Sequence, residues 1–153
     1  MAFYIVQHGL SMPKDQDPEQ GLAPEGIEEV KRIAGVARNY GVEVERILHS
    51  TKKRARQTAE LIAAVLEPPS GIEEIAGIKP MDDVAAFAAG VDFSANTMVV
   101  GHLPFLERLA SFLITGRLEP VVFKLQNGGI LCLDRFAHME APAAKWALMP
   151  AVT

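Results

Sequence analysis

The chain has 153 residues, of which 49% are hydrophobic and 22% charged, with a formal net charge of −4. That composition excludes a disordered chain, and the length suits one domain, over 1–153, with a sizeable buried core. The acidic balance argues against nucleic acid as a partner, no apolar run nears the roughly 18 residues of a membrane span, and a single cysteine, Cys132, excludes an internal disulfide framework.

The opening segment MAFYIVQHG lacks the basic stretch of a secretory leader, so the expected location is cytoplasmic. Residues 2–6 (AFYIV) are an unbroken apolar run and read as a strand buried on both faces. Residues 10–23 are polar with Pro13, Pro18 and Gly21, and read as a loop. Pro24 suits a first helical turn, Ile27, Val30, Ala34 and Ala37 recur at helical spacing, and Gly41 suits the C-terminal cap. A second strand lies within Val42–Leu48, centred on Arg46-Ile47-Leu48. Ser50 reads as an N-cap for a helix whose apolar stripe is Ala55, Ala59, Ile62, Ala63 and Leu66, ending before Pro68-Pro69.

Further on, a short strand is expected around Ile72–Ile75, a short helix over Asp82–Ala89 and a buried strand over Thr97–Val100. A helix over Pro104–Ile114 carries Leu106, Leu109, Ala110 and Leu113 on one face, and Gly129–Phe136 with Lys145–Met149 forms a closing antiparallel hairpin. Strands alternating with helices imply a three-layer αβα sandwich around a mostly parallel sheet, with that hairpin at its end.

Ligands of such sheets bind beyond the carboxyl ends of the strands. Three strand ends carry unusual polar groups: Gln7-His8-Gly9, His49-Ser50 followed by Lys52-Lys53-Arg54-Ala55-Arg56, and Gly101-His102. Two histidines and a basic cluster converging with glycines suit an anionic phosphoryl group. Neutral imidazole is a nucleophile near neutral pH, neighbouring cations favour that neutral form, and arginine offers a planar fork to phosphoryl oxygens. Gly9 and Gly101 would let backbone come close to a ligand. The scheme needs no metal or other cofactor. No Gly-Lys-Ser/Thr phosphate loop is present, and the His and Cys spacings do not match zinc. Read singly, His49 is structural, His138 an exposed loop residue, Cys132 a core residue, and Phe87, Phe105 and Trp146 core or interface residues.

In order and spacing, several segments together resemble the histidine phosphatase superfamily, the phosphoglycerate-mutase-like fold, and within it the compact SixA-type phosphohistidine phosphatases. These are Tyr4-Ile5-Val6-Gln7-His8-Gly9, Leu22-Ala23-Pro24-Glu25-Gly26, Ser50-Thr51-Lys52-Lys53-Arg54-Ala55-Arg56-Gln57-Thr58 and Val99-Val100-Gly101-His102-Leu103-Pro104. The resemblance implies that His8 becomes phosphohistidine, that Arg54 binds the phosphoryl group, and that His102 contacts it and stabilises the charge that builds there. Gln7 and Gly9 are expected to complete the phosphate-binding set, with Ser50, Lys52 and Lys53 as possible substrate contacts. The implied substrate is phosphohistidine on a partner protein such as a histidine-containing phosphotransfer domain. A small phosphorylated molecule is the alternative.

The chain departs from the family at one position in that set. The family motif is Arg-His-Gly, and here Gln7 replaces the arginine. An amide donates without charge or fork. Three readings therefore stay open: a metal-independent phosphatase slowed by Gln7 or compensated by Lys52 or Lys53, a non-catalytic domain that binds phosphate or a phosphoprotein, and a broad-specificity phosphomonoesterase. Candidates for a general acid are Glu74 and Asp82, with Glu73 and Asp83 beside them. The oligomeric state is not legible.

Overall fold

The computed structural model describes residues 1–152; Thr153, the last residue of the expected 1–153 domain, lies outside them. Ten elements follow one another: β1 (Ala2–Gln7), α1 (Pro24–Asn39), β2 (Arg46–His49), α2 (Lys53–Leu66), β3 (Ile72–Glu74), α3 (Val84–Ala88), β4 (Thr97–Gly101), α4 (Phe105–Thr115), β5 (Ile130–Asp134) and β6 (Ala143–Leu148). The six strands form one sheet in the order β3-β2-β4-β1-β5-β6. β3, β2, β4 and β1 run parallel, whereas β5 is antiparallel to both β1 and β6.

Alternation along the central strands builds two cores. Tyr4 and Val6 of β1 join Val30, Ala34 and Ala37 of α1 and Ala55, Ala59 and Ile62 of α2 on one face. Phe3 and Ile5 join Val84 of α3 and Phe105, Leu106 and Leu109 of α4 on the other. β1 is apolar without interruption because each face of the sheet carries a helix layer. Each fully buried Ile, Val or Phe contributes roughly 1.5–3 kcal/mol. The sheet therefore holds its strand ends rigidly, and the site depends on those ends.

Local details follow from sequence chemistry. Pro24 opens α1. The helix closes at Tyr40 with Gly41 at φ +76°, the Gly41 N–H donating to Arg38 and the Val42 N–H to Ala37; this is the paired bonding that a left-handed glycine permits at a helix end. A side chain on Gly26 would collide with the Leu10 backbone, which crosses the first turn of α1 there. α3 and β5 span five residues each, fewer than expected. α3 starts after Asp83, whose carboxylate caps the Ala86 N–H, so Asp82 stands outside it, and β5 stops at Asp134. The N-cap position of α2 is Lys52 and no side chain caps it, which corrects the reading of Ser50 as the cap. Among the described residues no helix is long and apolar enough to cross a membrane.

Candidate active site

Strand register brings the polar segments together. Gln7 stands opposite Gly101, and His49 opposite Val100, so Gln7, Gly101 and Ser50 leave three neighbouring strands on one level. The ladder continues past the strand ends: His8 N–H donates to Gly101 at 3.0 Å and Ser50 N–H to Val100 at 3.2 Å. The rings of His8 and His102 consequently lie 5.1 Å apart, centroid to centroid.

His8 is held by its own loop. Its Nδ1 lies 2.8 Å from the Gly9 carbonyl, which can only accept, so Nδ1 carries the proton. The lone pair then sits on Nε2, which bonds to nothing among the described residues. Burial holds the His8 pKa below its ordinary value of 6.5; the Gly9 hydrogen bond partly offsets this, and the charge of Arg54 adds to it. His102 is 3% exposed and is pushed lower, to about 4, by burial first and then by His8, Arg54 and Lys52. Burial also lowers the pKa of Arg54. Both imidazoles are therefore neutral near pH 7, beside a fixed cation. In an NMR titration the midpoint of His8 should fall below 6.5. Arg54→Gln should raise it, because a cation that disfavours the imidazolium is removed; an unchanged or lower midpoint would contradict the placement of Arg54.

Several supporting residues carry no signal as single positions. Thr58 is fully buried, accepts from Gly9 N–H at 2.9 Å and donates to the Arg54 carbonyl at 2.8 Å, which ties the His8-Gly9 loop to the first turn of α2. Asn127 Nδ2 donates to the His8 carbonyl at 3.0 Å, and Gly128 N–H donates to the Gln7 carbonyl at 2.9 Å. The segment that leads into Asn127 is anchored by Glu107, which accepts from Lys124 Nζ at 2.8 Å and Leu125 N–H at 3.0 Å. Thr58 belongs to the quoted Gln57-Thr58 motif, and the turn residues Asn127-Gly128-Gly129 were a usable signal for a loop closing on the site.

Other expected contacts are placed differently. Gly9 has both backbone groups engaged, the N–H by Thr58 and the carbonyl by His8, and a Cβ there would lie 2.8 Å from Val30. Its glycine serves packing and the posture of His8. Lys53 is drawn aside by Asp17 at 3.4 Å and Glu19 at 3.5 Å, so its charge is already compensated. Lys52 is exposed, makes no ion pair among the described residues and acts on His102 through its charge. Glu74 lies opposite His49 at the sheet edge, two strands from β4, while the Asp82 carboxylate accepts from Lys79 N–H. Neither they nor Glu73 and Asp83 bond to His8, Arg54 or His102. Ser50 does join the site: its Oγ lies 2.6 Å from His102 Nε2. Gln7 also belongs there; its Oε1 is buried without a partner.

Beside these residues a polar groove runs between the 14–20 loop and the start of α2, lined by Lys14, Gln20, Thr51, Lys52, Arg54 and Arg56 among others. His49 is buried with Nδ1 on the Ser50 carbonyl, Cys132 is buried in the core and His138 is exposed, as read from sequence.

The model of the histidine phosphatase superfamily (branch 1) matches residues 3–80, half the chain. The phosphohistidine phosphatase SixA of Escherichia coli is 29% identical over 127 residues, covering 79% of each chain. A solved structure of the protein histidine phosphatase SixA complexed with tungstate superposes with a TM-score of 0.81 at 26% identity, covering 98% of this chain and 97% of that one. A crystal structure of the alpha-ribazole phosphatase from Shigella flexneri reaches a TM-score of 0.72 at 15% identity, covering 100% of this chain and 98% of that one, a likeness of fold alone.

Proposed function

We propose, for a chain that belongs to the histidine phosphatase superfamily, that it hydrolyses phosphohistidine on a partner protein through a covalent phosphohistidine on His8. The observation that carries this reading is the hydrogen bond from His8 Nδ1 to the Gly9 carbonyl, which leaves Nε2 as the free nucleophile beside a second neutral imidazole and Arg54. The Nε2 lone pair attacks phosphorus, and the bond from phosphorus to the substrate nitrogen breaks. The departing imidazole keeps that electron pair and is protonated. Arg54 and His102 hold the phosphoryl oxygens as charge spreads over them. Water then attacks phosphorus, the bond to Nε2 breaks, and inorganic phosphate leaves with the water's oxygen. Imidazole leaves more readily than an alkoxide, so an acid in contact with His8 is less needed, in keeping with the positions of Glu74 and Asp82.

A protein substrate is favoured by the groove. Lys14 and Lys52 line it without ion-pair partners among the described residues, on a chain of net charge −4, and it runs up to Arg54. A histidine-containing phosphotransfer domain with an acidic surface around its phosphohistidine fits this. The test compares a phosphohistidine-bearing protein with p-nitrophenyl phosphate, and the protein should be clearly preferred. The change Lys14→Glu should lower kcat/KM for the phosphoprotein by about threefold, by reversing steering, and change that for the ester less than about 1.5-fold. A clear preference for the ester, or equal losses on both substrates, would count against a protein substrate. One observation favours a second reading: Gln7 brings no charge to the pocket, as a domain that holds a phosphoprotein without turning it over would allow.

A further inference from the structure

The contact between Ser50 and His102 has a direction. Ser50 is 2% exposed and His102 3% exposed, and Oγ and Nε2 are 2.6 Å apart. Ser50 is seated by the sheet, its N–H on the Val100 carbonyl, and not by the helix that follows. His102 is neutral, with burial and the nearby cations pushing its pKa to about 4. A neutral imidazole carries one proton, on either nitrogen, and the bond at the other nitrogen decides which.

Two arrangements are possible, and three observations choose between them. If Nε2–H donated to Ser50, the Ser50 proton would find no acceptor among the described residues. If Ser50 O–H donates to Nε2, that proton is used, and Oγ still accepts weakly from Lys52 N–H at 3.4 Å. His102 Nδ1 is itself buried without a partner. The other buried side-chain atom in that condition among the described residues is Gln7 Oε1, which can only accept and which stands at the end of the neighbouring strand, opposite Gly101. A bare Nδ1 would put a second unsatisfied acceptor in the pocket in addition to Gln7 Oε1. A protonated Nδ1 gives it one donor and one acceptor.

We propose that Ser50 is a positioning residue whose hydroxyl fixes His102 as the Nδ1–H tautomer, so that this buried imidazole is a neutral hydrogen-bond donor. That the group it donates to is a phosphoryl oxygen rests on the phosphatase reading; the tautomer itself does not. The device gives the pocket a donor that needs no extra proton from solvent and keeps it through the pH range where His8 must stay unprotonated.

The test is long-range proton–nitrogen NMR on the full chain labelled with 15N-histidine at pH 7, with His102 assigned by its loss in His102→Gln. His102 should show a protonated Nδ1 and a bare Nε2. Ser50→Ala should abolish that fixed pattern and lower kcat about tenfold, the loss of one ordinary hydrogen bond's worth of ordering, with KM changed less than twofold. A wild-type His102 protonated on Nε2 overturns the proposal, as does a Ser50→Ala protein that keeps the wild-type pattern. A protein that shows the expected tautomer yet releases no phosphate leaves the Ser50 assignment standing and removes the phosphatase reading.

Discussion

His8→Asn should accumulate no phosphoenzyme and should release phosphate at least about 10⁴-fold more slowly than the wild type, a loss in line with removal of a nucleophile elsewhere. Asparagine is the informative replacement. Its amide nitrogen can occupy the place of Nδ1 and donate to the Gly9 carbonyl, as His8 does at 2.8 Å. The bonds from Thr58 to Gly9 and from Asn127 to the His8 carbonyl involve backbone and stay available. What disappears is the atom with the lone pair. Phosphate binding should therefore survive while chemistry stops. The measurement is twofold: rapid-quench labelling with a phosphorylated donor, read as an acid-labile and alkali-stable adduct, and steady-state phosphate release. An adduct of that kind on the His8→Asn chain, or a rate near that of the wild type, places the nucleophile elsewhere.

Much of this arrangement is legible in the sequence, for reasons that separate local from distant physics. The unbroken run AFYIV predicts a strand covered twice, and Phe3 and Ile5 do face one core while Tyr4 and Val6 face the other. Once the parallel sheet is inferred, the rule about strand ends brings Gln7, Ser50 and Gly101 to one edge, and register puts them on one level. Partner choice among polar side chains is less legible. Ser50 has the local signature of a helix cap, but its backbone is committed to Val100 and its hydroxyl to His102, 52 positions away. Thr58 and Asn127 lie 49 and 119 positions from the atoms they hold, so no window of sequence displays those bonds. Gly9 looks like room for a ligand, yet the space is filled by Val30 of α1. Lys53 looks like a free cation in the basic cluster, but the loop carrying Asp17 and Glu19 folds back onto it. Composition reveals which charges exist, and only the fold reveals which are already spent on neighbours.

Gln7→Arg should raise turnover, and the size of the rise measures what the family arginine does here. Residue 7 ends β1, its carbonyl accepts from Gly128 N–H and its side chain sits partly buried in the pocket. The glutamine amide offers a neutral donor and an acceptor, whereas arginine offers charge and a fork. A charge-assisted hydrogen bond contributes about 1.5–3 kcal/mol, so restoring one in the transition state should speed phosphoryl transfer by roughly 10- to 150-fold. The gain should appear in kcat measured with a phosphohistidine-bearing protein, because charge on the phosphoryl oxygens grows between ground and transition states. It should also appear in a pocket from which Lys53 cannot supply the missing charge, paired as it is with Asp17 and Glu19. If the rate rises in this range, the wild-type chain is an enzyme held slow by one residue. If it stays level or falls, Lys52 or the acceptor on Gln7 already does what the arginine would do, and the pocket is built around glutamine. If neither protein forms an adduct on His8, the site binds phosphate without transferring it, and the second reading prevails.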